Sequence, residues 1–316
     1  MGPRGRLVVT EASGVFSRVV RKEPNRGDVI PIGRVPKGFL APAVDINNKG
    51  QIFVLTVGTD EIQAGGGTLY RYSPGHGRKM IANIMKYQRH DPDPYDLEDD
   101  PKESNPYGVA ALNDGSALVA DAAGNDLLRV WPNGEIDTVA RVKTRTVKVP
   151  KGLGEGAPPA GTRMPSEAVI TSVTVGADGA YYIGELRGFP ATPGKSQIWR
   201  IRPGAEDAVC NPKRPNRGAC TRYADGLTSV VDLAAGRGSS IYAVELSKKS
   251  WLAMESEPPT PGSEIGALIR ISHDRMVRHE LARNKLVLPG GVEIGPRGAV
   301  FVTTPIFGPG KLMRVR

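Results

Sequence analysis

Six times along the chain an acid or a hydroxyl is followed downstream by an arginine. The pairs are Glu11 and Arg18, Thr56 and Arg71, Asp121 and Arg129, Glu185 and Arg200, Glu245 and Arg270, and Thr304 and Arg314. Two chemistries suit such a set. Carboxylates gathered around one opening could hold a hard cation such as Ca²⁺ through oxygen ligands. Alternatively, each acid could pair with its own arginine and with turn amides, acting as a staple, because side chains diagonal across a strand pair lie within reach of a long arginine. Recurrence favours the staple, since a residue repeated in every unit usually holds that unit together.

The elements that position these residues follow from an internal repeat. Asn105 to Val142 reads as four short strands, GVAAL, ALVAD, LLRV and IDTVARV, separated by Asn-Asp-Gly, Gly-Asn and Pro-Asn-Gly turns. The phrase recurs as SVTVGADGAYYIGEL before QIWRIRPG, and as VDLAAGRGSSIYAVEL before ALIRISHD. It returns as PGGVEIGPRGAVFVTTP before KLMRVR, VDINNKGQIFVLTV before TLYRYSPG, and GPRGRLVVTEAS before VFSRVV. Six copies of a four-stranded unit predict an all-β fold, a six-bladed β-propeller of antiparallel blades with strands A to D in chain order. The expected single domain spans 1–316, with blades near 1–40, 41–87, 104–143, 165–225, 227–283 and 286–316. The first copy lacks strand A and the last lacks strand D. Both gaps are expected to be filled by a segment upstream of Met1, which would also have carried any export signal.

Residues that depart from the repeat are the candidates for ligand binding, since surface loops on a rigid scaffold usually carry function. In strand A, Asp45, Asp232 and Glu293 are not shared with the other copies, and Asn105, Thr171, Ser172 and Thr228 precede or open their A strands. The loops Gly58 to Gly67, Lys86 to Ser104, Lys143 to Pro165, Leu186 to Ser196 and Ser247 to Gly266 are expanded, and the last carries Trp251, either as a lid or ligand platform or as a side chain buried against the loop face. Trp131 and Trp199 read as core.

Composition narrows the rest. Gly and Pro number 39 and 27 of 316 residues, which excludes a long-helix bundle, while 39% hydrophobic residues suffice for a core. No apolar run reaches the ~18 residues of a membrane helix. A net charge of +9 favours anionic partners. The basic run 141–151 lacks the interleaved aromatics of a single-strand binder, so it reads as a solvated linker and nucleic acid is not expected. HDPDPYDLEDDPKE lacks the calcium-loop register and reads as a solvated acidic loop. GFPATPGKS has the wrong glycine spacing for a phosphate loop. His76, His90, His273 and His279 are scattered, and no Gly-x-Ser-x-Gly elbow occurs. Cys210 and Cys220 bracket one loop and could form a single bridge outside the cytosol.

Together, ESNPYGVAAL, LVADAAGNDLLRV, YYIGELRGFP, LTSVVDLAAG and LPGGVEIGPRGAVFVT resemble the ScyD/ScyE family, named from the scytonemin biosynthesis cluster. The resemblance runs over essentially the whole chain. It implies a six-bladed NHL-like propeller, extracellular or periplasmic, without an established catalytic activity and with no active-site motif to carry over. The expected function is therefore a non-catalytic exported binding or scaffold protein whose loop-rich face takes a small molecule, polysaccharide or protein. The alternative is a metal-dependent, lactonase-like hydrolase with Ca²⁺ held by Asp45, Glu185, Asp232, Glu293 and Asn105.

Overall fold

A computed structural model describes residues 2, 5–58, 65–154 and 156–315. Most of the expanded loop Gly58 to Gly67 therefore lies outside the described residues. The fold is all-β and of the six-bladed β-propeller class: six antiparallel sheets follow one another along the chain, four strands being the rule and three in the first and last. The chain divides into two compact units, Met1–Pro94 with Asp100–Thr138, and Tyr95–Asp99 with Val139–Arg316.

The first unit holds three sheets. Leu7–Thr10, Val15–Val19 and Val29–Arg34 make the first. Ala43–Ile46, Ile52–Leu55, Thr68–Ser73 and Gly77–Asn83 make the second. Pro106–Ala111, Ala117–Asp121 and Asp126–Val130 make the body of the third, whose last strand, Ile136–Val142, carries the chain into the second unit. The B strands Ile52–Leu55 and Ala117–Asp121 are buried at every position. A strand covered on both faces has no reason to alternate, which is why these segments are continuous apolar runs. Phe53, Leu55, Leu69, Val109, Val119 and Leu128 fill the space between the second and third sheets. The C–D turn of the third sheet depends on Gly134 (φ 99°), where a Cβ would stand 2.8 Å from the Ile81 carbonyl.

In the second unit, the fourth sheet is Ile170–Val175, Tyr181–Glu185, Ser196–Ile201 and Cys220–Leu227. The fifth is Val230–Ala235, Ile241–Glu245, Ala267–Ile271 and Arg278–Leu281, and the sixth Gly291–Ile294, Val300–Thr304 and Lys311–Val315. Tyr182, Ile198, Leu227, Val230, Leu233 and Ile241 pack between the fourth and fifth sheets.

Two features correct the sequence reading. The basic run 141–151 is not a solvated linker. Arg145–Lys148 forms a hairpin with Arg163–Ser166, and Arg145 makes a two-pronged ion pair with Asp225 at 2.8 and 3.0 Å. Nor is HDPDPYDLEDDPKE wholly solvated: Asp93 is buried and accepts a hydrogen bond from Asn125 at 2.9 Å. The two cysteines are joined in a disulfide with Cα atoms 5.0 Å apart. It anchors a short added strand, Ala208–Cys210, which pairs in parallel with Ala140–Val142.

Candidate functional site

Strand register decides what the acids and arginines do. In the third sheet Asp121 lies opposite Asp126, whereas Arg129 lies opposite Leu118, three positions away. The expected staple of Asp121 with Arg129 is therefore not formed. Arg129 turns to the A–B turn, where it pairs with Asp114 and stacks over Trp131 with its guanidinium carbon 3.9 Å from the ring centroid. Trp131 is accordingly half-buried rather than core, while Trp199 is fully buried. In the second unit Arg200, opposite Tyr182, likewise pairs with the A–B turn acid Asp178 at 2.8 Å. Arg18, Arg71, Arg270 and Arg314 occupy the same register, opposite Val8, Phe53, Tyr242 and Phe301. Burial pushes the Asp114 and Asp178 carboxyls up. Hydrogen bonds from Ser116 to the first and Arg200 to the second outweigh it and hold both below the usual range.

The strand-B acids serve the other end of the blade. Asp121, fully buried, accepts from the Ser104 hydroxyl at 2.6 Å, the Asn105 N–H at 2.8 Å, the Gly124 N–H at 3.1 Å and the Gln88 amide at 3.4 Å. Burial raises its carboxyl, and those four donors oppose the rise. Thr56 does the same work with a hydroxyl, accepting from the Thr68 N–H and donating to the Gly65 carbonyl. Glu11 is exposed and accepts from Ser13 at 3.2 Å.

In the second unit Glu185 and Arg187 form a fully buried ion pair. Trp199 Nε1 donates to Glu185 at 2.7 Å and the Gln197 N–H at 2.9 Å. Burial raises Glu185, with Arg187 as the chief opposing influence. Arg187 also binds the carbonyls of Ser166 and Glu167, and it holds a left-handed φ of 73°. Sequence reasoning gave Glu185 the wrong arginine. The signal was present in GELRGFP, where an arginine two residues beyond the acid folds back on it. Arg187 Nε and both amide atoms of Gln197 are buried without a hydrogen-bond partner among the described residues, so this cluster keeps unspent polarity.

Glu245 accepts from the Thr228 N–H at 2.8 Å. Burial pushes its carboxyl up to about 7; Glu280 adds to the rise, and Lys248 and Arg278 oppose it. Around it the second unit brings together several nominated residues. The Thr228 hydroxyl accepts from the Gly194 N–H at 2.9 Å. Trp251 opens the helix Trp251–Glu255, its N–H bonded to the Ser229 hydroxyl and its ring nitrogen to the Arg187 carbonyl, at 2.9 and 2.8 Å. Trp251 thus fastens the Ser247 to Gly266 loop onto Arg187 of the Leu186 to Ser196 loop and onto Ser229, which leads into the fifth sheet.

The strand-A candidates connect neighbouring sheets. Asp45 accepts from the Ile46 N–H at 2.7 Å and from Ala111 of the third sheet at 2.8 Å. Asp232 accepts from Leu233 at 2.9 Å and from Val292 of the sixth sheet at 2.7 Å. Thr174, which the sequence reading passed over, takes the Ala235 N–H at 3.2 Å in the same manner. Thr171 donates to the Val230 carbonyl at 2.7 Å, Glu293 accepts from Ile294 at 2.8 Å, and the Ser172 hydroxyl is buried without a partner among the described residues. Thr304 binds the Val287 carbonyl. Among the described residues no three His, Cys, Asp or Glu side chains are grouped to hold a metal ion. The Ca²⁺ ligand set suggested by the sequence does not fit, because Glu185 is already neutralised by Arg187 and Asp45 and Asp232 bind main-chain amides with both oxygens.

No family model matches the chain, and no curated protein matches it in sequence. Solved structures share the fold. A nidogen in complex with laminin is 10% identical with a TM-score of 0.58, over 98% of this chain and 90% of that one. A glucose dehydrogenase is 13% identical with a TM-score of 0.57, over 99% and 94%. A Thermus thermophilus protein described as an oxidoreductase (glucose dehydrogenase) is 17% identical with a TM-score of 0.53, over 99% and 94%.

Proposed function

We propose that the chain is a non-catalytic, exported β-propeller of the ScyD/ScyE type that binds a small molecule, polysaccharide or protein through its B–C and D–A loops. One observation carries this reading: Asp45, Asp121, Glu185, Asp232, Glu245 and Glu293 each accept a main-chain N–H. Carboxylates engaged in this way are framework, so recognition falls to the irregular loops. In the second unit those loops are fastened by Trp251 and present Phe189, 40% exposed. The bridged cysteines suit an oxidising compartment. A fold shared with a protein bound to laminin and with dehydrogenases is compatible with binding or with chemistry, so the site carries the argument.

Metal analysis of the purified protein tests the proposal. We expect no stoichiometric divalent ion and a thermal midpoint indifferent to EDTA. A stoichiometric ion lost in both Asp232→Ala and Asp232→Asn would overturn the reading in favour of a metal-dependent hydrolase. Trp251→Ser and Phe189→Ser are expected to abolish binding of any ligand found by screening.

A further inference from the structure

The fourth sheet departs from the repeat between its C and D strands, at the end of the blade opposite its B–C loop. In the second, third and fifth sheets that connection is a short turn, residues 74–76, 131–135 and 272–277, whereas in the fourth it runs over 202–219. The extra length builds a ring. Ala208–Cys210 pairs in parallel with Ala140–Val142, and the disulfide from Cys210 to Cys220 closes Asn-Pro-Lys-Arg-Pro-Asn-Arg-Gly-Ala into one loop. Inside it the Arg214 N–H bonds the Asn211 carbonyl at 2.9 Å, and the Arg217 N–H bonds the Arg214 carbonyl at 3.2 Å. The Asn211 side chain takes the Lys213 N–H at 2.9 Å. The Pro215 carbonyl accepts from the Arg222 N–H of strand D at 2.6 Å, which ties the ring back to its sheet. Turns closed in this way hold the Arg214 and Arg217 Cα atoms within about 7 Å of each other.

Lys213, Arg214 and Arg217 are exposed, and none of their side chains has a hydrogen bond or ion pair among the described residues. The ring contains no acid. On the rest of the connection Asp207 pairs with Arg141 at 3.0 Å, and exposed Glu206 is balanced by exposed Arg202. Beyond the ring Arg222 pairs with Asp225 at 3.1 Å. The fifth sheet's C–D turn reaches this end through Arg275, which bonds the Arg222 carbonyl at 3.4 Å, but Asp274 comes with it and the turn adds no net charge. Three cations therefore stand uncompensated on one closed mount.

We propose that the ring Cys210 to Cys220 is a docking surface for an acidic polysaccharide, with Lys213, Arg214 and Arg217 meeting the carboxylate or sulfate groups spaced along such a chain. Charge fixes the sign of the partner. The composition of the ring fixes its class. Without an aromatic side chain it has no platform for stacking bases. Without a large apolar side chain it has nothing to enter a lipid interface, and no anchor of the kind that centres a protein–protein contact. Val209, 42% exposed, lies outside the ring, in the paired strand opposite Arg141. The arginine fork matches the paired oxygens of an anionic group, and a mount already closed loses little freedom on binding. This surface is separate from the B–C and D–A loops and does not depend on them.

Affinity electrophoresis through gels holding polygalacturonate, dextran sulfate or neutral dextran tests this. Retardation is expected in an anionic gel and not in the neutral one. Lys213→Gln, Arg214→Gln and Arg217→Gln together should weaken that binding about tenfold. A control carrying Lys22→Gln, Lys49→Gln and Lys79→Gln, at three exposed lysines elsewhere, removes the same charge and should weaken it by no more than about twofold. All six positions are exposed, so both variants should keep the wild-type thermal midpoint. Equal losses in the two triple variants, or no retardation in either anionic gel, would overturn the proposal. So would ring-dependent binding that is tighter to double-stranded DNA or to phosphatidylglycerol vesicles than to either polysaccharide.

Discussion

Glu245 is the residue whose protonation state matters most near neutral pH. Its carboxyl is held up at about 7 in the folded protein, against an ordinary value near 4.5. The folded state therefore binds this proton more tightly than the unfolded chain does. Stability from this group is full below about pH 4.5 and is lost as pH rises through about 7, by roughly 3 kcal/mol in all. Urea midpoints measured between about pH 5 and 8 should fall with rising pH, and Glu245→Gln should flatten that slope. Asp121 and Arg129 provide a contrast. Asp121→Ala would leave several buried donors unanswered and is expected to cost about 3 kcal/mol. Arg129→Ala, at a half-buried surface pair, should cost about 1 kcal/mol or less. Equal costs would mean that the two residues act as one unit, contrary to their register. The sequence revealed that both columns exist, because the repeat aligns them. It concealed their partners, because a hairpin's register depends on its turn, and the Ala122–Asn125 turn sets Asp121 opposite Asp126.

The strands show why so much of the architecture was legible. A B strand covered on both faces is apolar up to its closing acid, and its turns need glycine at positive φ, so ALVAD and IYAVE announce themselves. The hairpin Arg145–Lys148 with Arg163–Ser166 did not, because its charged residues read as solvent-facing while Arg145 in fact reaches Asp225. The links between inner strands were also hidden. Asp45 reaches Ala111 across 66 positions of sequence, and Asp232 reaches Val292 across 60. Asp232→Asn, which keeps the shape but weakens the acceptor, is expected to lower stability by about 1–2 kcal/mol, read as a shift of the urea midpoint. Replacing both cysteines by serine should remove about 3 kcal/mol, the loop-closure value for a separation of 10 residues.

At the scale of the molecule, an excess of nine positive charges makes association with anionic partners strongly dependent on salt. Binding through the apolar side chains of the Trp251 loops should show little of that dependence. A salt titration of any binding event would therefore separate attachment through those loops from attachment through the protein's surface charge.

The bridge between Cys210 and Cys220 encloses Lys213, Arg214 and Arg217, all three exposed, and Lys213 and Arg217 are the two not followed by proline. Trypsin acting at either of those two would sever the main chain without releasing either piece, since the sulfurs still hold them together. The clipped protein should migrate as one band until a thiol is added, then as two, with the short strand Ala208–Cys210 remaining on the N-terminal fragment beside the Ala140–Val142 edge it lines.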